Sequence, residues 1–227
     1  MEPADFLDTH NFGYLITFVS FCLFYLNNWY LLTALTPKSA STAKYQQWKW
    51  RNIANSLVHS SITGCGACLC FWQSPGMRED LIYKFSHSSH FLLSLSIGYF
   101  FYDLIDMSLY DRSSKKFELL LHHFLVILCF GLAMVQKLYM GYALMALLLE
   151  VNSIFLHLRQ LMIIQQWSKM SPLFRINNSF NLGTFVVFRI LTLGWMTRWL
   201  LQHRSDLTPL AFNLAGLCEY LVAFFLL

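Results

Sequence analysis

Charge is scarce in this 227-residue chain: 12% of its residues are Asp, Glu, Lys or Arg, well below the roughly 25% of a soluble domain. It has no short segments of alternating polarity, which excludes a transmembrane β-barrel. It has no cleavable signal peptide, because the first apolar run is too long and its N-terminal flank is acidic, so that run reads as a retained span. No disulfide framework is expected: all six cysteines fall inside apolar runs and read as free buried thiols. Cys65-x-x-Cys68 is weak evidence for redox chemistry, since Ser60, Gly64 and Cys68 also form a ridge of small residues that lets helices approach closely. The DRY and NPxxY signatures of G-protein-coupled receptors are absent. No low-complexity segment, internal repeat or composition break divides the chain.

Apolar length is what the chain has in quantity. With 56% hydrophobic residues and a mean hydropathy of +0.47, its solvent is lipid. A helix needs about 20 apolar residues to cross a hydrocarbon core of about 30 Å. Seven runs qualify: Phe12–Leu35, Ile53–Trp72, Phe91–Tyr110, Phe117–Val135, Leu138–Ile164, Phe180–Leu201 and Leu207–Leu227. The expected fold is an all-α integral membrane bundle of seven helices.

The loops set an expected orientation. Thr36–Asn52 carries Lys38, Lys44, Lys49 and Arg51 without an acid; Asp111–Lys116 carries three basic residues and one acid; Gln165–Ser179 adds Lys169 and Arg175. The opposite side holds Glu2, Asp5, Asp8, Glu79, Asp80 and Asp206 against Arg78, Lys84, Lys137 and Arg204. By the positive-inside rule the N-terminus lies outside and the C-terminus in the cytoplasm. The net charge of +4 is then a topology signal, and no nucleic-acid partner is expected. Trp48-Lys49-Trp50 reads as an interfacial anchor at the mouth of the second helix.

Within the apolar runs, a few ionisable residues stand out. His122 and His123 sit in FELLLHHFLVILCF, with Asp103, Asp106 and Glu150 in the neighbouring segments. An acid at mid-membrane costs roughly 2.5–3.5 kcal/mol on insertion scales, so three together imply a function. At 1.5 Å per residue, Asp103, Asp106, His59, His122 and His123 fall in one layer about 6–10 Å from the cytoplasmic face, with Glu150 nearer mid-membrane. Asn52, Asn55 and His59; Tyr99, Asp103 and Asp106; and Glu150, Ser153 and His157 each make one polar stripe at helical spacing. Imidazoles near carboxylates suit an activated nucleophile or general base, the acid fixing tautomer and basicity. The histidines are adjacent, hence about 100° apart on a helix, so one faces a cavity and the other a neighbouring helix.

Blander roles stand beside these. His59, Asn55, His157 and Asn152 can be interhelical hydrogen-bond glue, worth about 0.6 kcal/mol per contact. Asp103 and Asp106 can form a structural ion pair with Arg189, and Arg159 and Arg198 can snorkel or meet lipid phosphate. A di-iron desaturase needs a larger histidine cluster than the four near the inner layer, because His87, His90, His10 and His203 lie at the outer side. A haem held by His59 and His122 would have acids as poor neighbours. No metal and no prosthetic group are expected.

The segments GYFFYDLIDM, ELLLHHFLVI and LLLEVNSIFLHLRQLM, with WKWRNIANSLVHS upstream, resemble the TLC domain shared by ceramide synthases, the translocation-associated TRAM proteins and a neuronal ceroid lipofuscinosis protein. Within it they resemble the subgroup of TLC-domain-containing proteins 1 and 2, and LEVNS…LHLR and FRILTLGWM lie nearer the second. The resemblance implies a TLC domain over residues 48–227, built as a six-helix barrel of spans 2–7, after an N-terminal segment 1–47 with the first helix. It implies that His122 and His123 match a histidine pair thought to carry an acyl group from acyl-CoA, and that Asp103 matches the family's third-helix acid. The synthases' His-Asp-x-x-Asp is replaced here by Leu149, Glu150 and Ser153, which departs from ceramide synthesis. The subgroup implies control of phospholipid acyl composition and fluidity, limiting polyunsaturated chains, in the plasma membrane or alternatively the endoplasmic reticulum.

Two functions follow as expectations. One is an acyltransferase with His122, His123, Asp103, Asp106 and Glu150 as its catalytic set, acyl-CoA as co-substrate, and His59, Asn55, Ser153, His157 and Arg189 against the lipid. The other is a non-catalytic regulator that binds membrane lipids.

Overall fold

The apolar runs fold as helices throughout a computed structural model that describes residues 3–40 and 43–226, with side chains described for 11–40 and 43–223. Glu2, Leu227 and the side chains of Asp5 and Asp8, counted above, lie outside the described residues. The elements are α1 (Pro3–Leu26), which continues through a π-helical turn (Asn27–Leu31) into α2 (Leu32–Leu35); α3 (Lys44–Gln73); α4 (His87–Tyr110); α5 (Lys116–Gln136); α6 (Met140–Leu147); α7 (Glu150–Ile164); α8 (Pro172–Thr184), continuing through a second π-helical segment (Phe185–Leu191) into α9 (Thr192–Gln202); and α10 (Pro209–Leu226).

Five helical stretches are long and apolar enough to cross a bilayer: Asn11–Leu35, His87–Tyr110, Lys116–Gln136, Met140–Ile164 and Pro172–Gln202. This is a multi-pass membrane protein. The other two expected runs differ in kind. The described part of α10, Pro209–Ala223, is apolar but shorter, and α3 begins at Lys44 rather than Ile53 and carries polar residues along its length. Those residues are turned inward: Asn55, Ser56, His59, Ser60 and Thr63 are all buried.

Other boundaries shift for identifiable reasons. The Leu138–Ile164 run is not one uniform helix; it loosens into a turn at Leu148–Leu149 between α6 and α7. α8 starts at Pro172, where Ser171 Oγ accepts the Phe174 N–H at 3.4 Å and proline fits the first turn. The Gln165–Ser179 loop therefore ends at Ser171, and Arg175 and Asn177 belong to a helix. Between α5 and α6 the chain reverses at Lys137 and Tyr139, both left-handed with φ of 55° and 63°. Tyr139 N–H donates to the Ile82 carbonyl at 2.6 Å, anchoring the reversal on the 78–86 loop.

Helix packing follows the small residues. α1 lies along α4, where a Cβ on Gly98 would overlap the Thr17 carbonyl oxygen. Thr17 Oγ1 donates to the Ser94 carbonyl at 3.2 Å and Ser20 Oγ to that of Leu95 at 2.6 Å. α3 lies along α7, where a Cβ on Gly64 would stand 2.9 Å from Val151 N. The small-residue ridge thus works at Ser60 and Gly64, while Cys68 and Cys65 are exposed rather than buried. Beyond these pairs, α3 packs on α4, α4 on α5, α5 on α10, α10 on α9, and α8 with its π segment on α7. α6 touches α3, α4, α5 and α9 and so fills the middle of one end. Leu93, Ile97, Phe100, Leu144 and Leu147 are part of the main core there.

Candidate functional site

Asp103 and Asp106 lie one turn apart on α4, and both meet α3. Asn52 Nδ2 donates to Asp103 Oδ1 at 2.6 Å and to Asp106 Oδ2 at 3.3 Å, while Trp48 Nε1 donates to Asp106 Oδ2 at 2.8 Å. The indole and the amide are four residues apart, hence on one face of α3. Trp48 is therefore not an interfacial anchor; it is buried at 6% exposure and holds an acid. Its spacing to Asn52 was the available signal, masked by the habit of tryptophan to sit at membrane interfaces.

From α5, His123 brings Nδ1 to 3.4 Å from Asp103 Oδ2. That is longer than the roughly 2.7–2.9 Å of a charge-assisted hydrogen bond, and Nδ1 has no aligned hydrogen bond. The Phe100 ring packs on His123 at 5.3 Å between centroids. His122 diverges, its ring centre 5.7 Å from that of His123. His122 looks instead into a partly open cavity walled by α5, α6, α9 and α10, with Glu150 and Arg189 on the same wall. The lining is otherwise largely apolar, as in Val126, Leu147, Leu193 and Met196.

Glu150, at the start of α7, accepts from Ser60 Oγ at 2.7 Å. Arg189 sits in the second π-helical segment and donates through Nη2 to Ser153 Oγ at 2.9 Å. The extra residue in each π turn shifts the helix face, and π turns recur at functional sites. The supposed ion pair between Asp103 and Arg189 does not form among the described residues: Asn52 and His123 meet the carboxylate, and the guanidinium is on Ser153.

The expected site thus divides. His122, Glu150 and Arg189 share the cavity, and Ser153 touches it through Arg189. His123, Asp103 and Asp106 form a buried cluster off the cavity lining. Asn55 and His59 belong to neither: they lie in the seam where α1 meets α3 and α4. Asn55 accepts from Asn27 Nδ2 at 2.7 Å and donates to the Phe24 carbonyl at 3.2 Å. His59 shares a 3.0 Å hydrogen bond with Ser96 Oγ and stacks on Tyr99 at 3.8 Å. His157 is off the cavity wall, and its Nδ1 is buried without a hydrogen-bond partner among the described residues. Asn152 ties α7 to α8, donating to the Asn181 carbonyl at 3.0 Å and Thr184 Oγ1 at 3.1 Å.

Glu219 was not anticipated. It is 8% exposed on the same cavity wall, accepting from Thr197 Oγ1 at 2.7 Å and from the Tyr142 hydroxyl. An acid in an apolar run was the signal. Its partners, remote in sequence, could not be read from spacing.

A histidine at the polar part of an apolar cavity, with a second histidine turned onto a carboxylate beside it, can hold a lipid and activate a carbonyl within it. The TLC domain family model matches residues 49–227. A TLC domain-containing protein 2 of Danio rerio is 52% identical over 169 residues, 74% of this chain and 68% of its own length. A protein of the same name in Mus musculus is 38% identical over 198 residues, 87% of this chain and 62% of its own length. TLC domain-containing protein 1 of Mus musculus is 31% identical over 179 residues, 79% of this chain and 72% of its own length. The chain therefore spans less than two thirds of the mouse protein 2 relative. No solved structure matches it.

Proposed function

The chain belongs to the TLC-domain family, and from that premise we propose that it sets the acyl-chain composition of membrane phospholipids, and with it fluidity, by limiting polyunsaturated chains. The observation that carries this proposal is that His122 faces a mostly apolar cavity while His123 is turned onto Asp103. A cavity with this apolar lining suits an acyl chain, whose reactive end would lie at His122, Glu150 and Arg189.

The reaction is acyl transfer from acyl-CoA. An imidazole nitrogen of His122 attacks the thioester carbonyl, the C–S bond breaks, and the thiolate leaves with the proton lost by the imidazole. The acylated imidazole then passes its acyl group to a lipid hydroxyl, whose proton is taken first by a carboxylate and then handed to the freed ring nitrogen. Glu150, on the same wall, serves the acceptor as general base. His123 and Asp103, with Asp106 behind them, position the pair. The chemistry uses no metal and no prosthetic group.

Seven spans frame the site: a first helix in segment 1–47, then a six-helix TLC barrel in 48–227. The sequence of packed pairs supports the barrel, since it runs from α3 through α4, α5, α10 and the continuous α8–π–α9 stretch to α7 and returns to α3. α3 counts as a span despite its polarity because its polar residues are buried. The N-terminus is outside and the C-terminus cytoplasmic, in the plasma membrane or alternatively the endoplasmic reticulum, so that the basic loops and the entry of acyl-CoA share one side.

Incubation of the purified chain with radiolabelled oleoyl-CoA, acid quench and peptide mapping tests the reaction. An acyl group on His122 is expected, lost in His122→Ala and kept when the cavity cysteines Cys129 and Cys218 are changed to serine. Label on cysteine alone, or none, overturns the transfer. A non-catalytic lipid-binding regulator is the second reading. It is favoured by one observation: both α4 carboxylates are occupied by Asn52 and Trp48, and the histidine they reach is not the one in the cavity. Lipid bound without any adduct would support it.

A further inference from the structure

Arg189 has unused capacity. Its Nη2 is engaged by Ser153 Oγ, but Nε is buried and has no hydrogen-bond partner among the described residues. It lines the cavity beside His122, and it is the one Lys or Arg on that wall among the described residues. The nearest acid on the wall, Glu150, does not neutralise it by direct contact: its carboxylate takes the Ser60 hydroxyl, and no ion pair joins it to Arg189.

A guanidinium in hydrocarbon with an idle donor is costly unless something meets it. Its flat fork of donors matches the paired oxygens of a phosphate or carboxylate. Its place in a π-helical turn adds to this, because the wider turn moves the side chain off the face an α-helix would give it. Ser153, holding the far nitrogen, keeps the fork from rotating away.

We propose that Arg189 is the receptor for an oxyanion carried by the cavity's lipid, so that the protein selects acyl lipids with a negatively charged head, phosphate ester or free carboxylate, over neutral ones. This inference rests on the reading that the cavity holds a lipid, and deepens it by naming what the polar end recognises. The shared chemistry is an oxyanion at the head of an acyl chain. Glu150 works against it, since a carboxylate on the same wall repels the incoming charge.

Binding of three radiolabelled probes to the purified full chain in neutral detergent tests it: palmitate, palmitoyl lysophosphatidate and the uncharged monopalmitoyl glycerol. The wild type should prefer at least one charged probe to the glyceride by about tenfold or more, the scale of one hydrogen-bonded charge contact. Arg189→Gln should erase that preference, weakening the charged probes far more than the glyceride. Arg189→Lys, which keeps the charge and lacks the fork, should retain part of it. Glu150→Gln should strengthen binding of the charged probe. The charged probe that loses most in Arg189→Gln identifies the source, lysophosphatidate for a phospholipid head and palmitate for a free acid. Equal preference in wild type, Arg189→Gln and Arg189→Lys overturns the inference while the lipid cavity stands. No binding of any probe by folded wild type, judged by its melting curve, overturns both.

Discussion

Replacing Asp103 by asparagine separates a positioning role from a structural one. Asn52 Nδ2 donates to one carboxylate oxygen at 2.6 Å, and His123 Nδ1 lies 3.4 Å from the other. The introduced amide can keep its oxygen towards Asn52, so that bond survives. Its NH2 then faces His123 Nδ1, where a donor demands an acceptor, and the ring proton must move to Nε2. The carboxylate favours the opposite tautomer. Because no arginine depends on Asp103, the change strands no buried cation, and the loss in stability should be about 1 kcal/mol or less. For a chain of this size that is a shift of about 2–4 °C in melting temperature. Turnover should fall far more, by about 100-fold, the low end of acid–base effects, because Asp103 acts on the nucleophile His122 only through the neighbouring His123. The assay is release of CoA thiol from oleoyl-CoA by purified protein, with melting in the same detergent. A melting point more than about 10 °C lower at near-normal turnover would refute the positioning role.

The other predictions test different links. His122→Ala and His123→Ala should each abolish the effect on phospholipid acyl composition, read by lipidomics, while the protein still inserts and accumulates; a full effect in both rules out catalysis by the pair. Gly98→Ala forces a methyl group into the Thr17 carbonyl and should cost about 1–3 kcal/mol as overpacking, seen as a lower melting point. Glu219→Leu leaves the Tyr142 and Thr197 hydroxyls without their acceptor and should cost about 1–3 kcal/mol per group, whereas Glu219→Gln should cost less; equal melting points would show that the acid ties nothing together. Asn177, the first residue of the only glycosylation sequon, should stay unmodified in either orientation, because it is buried in α8 and donates to the Phe155 carbonyl at 3.0 Å. A sequon on a flexible extension ahead of Met1 carries the topology test instead, and should be glycosylated.

What could be read in advance follows from the range of each signal. Hydropathy acts over a single helix, so the runs at Phe91–Tyr110 and Phe117–Val135 lie inside α4 and α5 with only short extensions. On α3 it marked the run Ile53–Trp72 but missed the polar start at Lys44, because an average over residues does not know which of them face inward. Periodicity identified the face of each polar stripe but not the neighbour it meets. Asn52, Asn55 and His59 share a face, yet Asn52 reaches the α4 acids while Asn55 and His59 pack in the α1 seam. The divergence of His122 and His123 was readable, since it depends on 100° per residue and nothing else. The π turns were not: one inserted residue leaves no mark on composition, yet it changes which way Arg189 and Asn28 face. Arg189 is the instructive case. Counting along an ideal α-helix allowed it to be Asp103's counter-ion; it sits in a π-helical segment and meets Ser153 instead. The cavity then holds a cation whose idle donor needs an external partner, while Asp103 is left to His123. The ion pair that would have closed the site is absent among the described residues, and two half-used groups leave it open to a lipid.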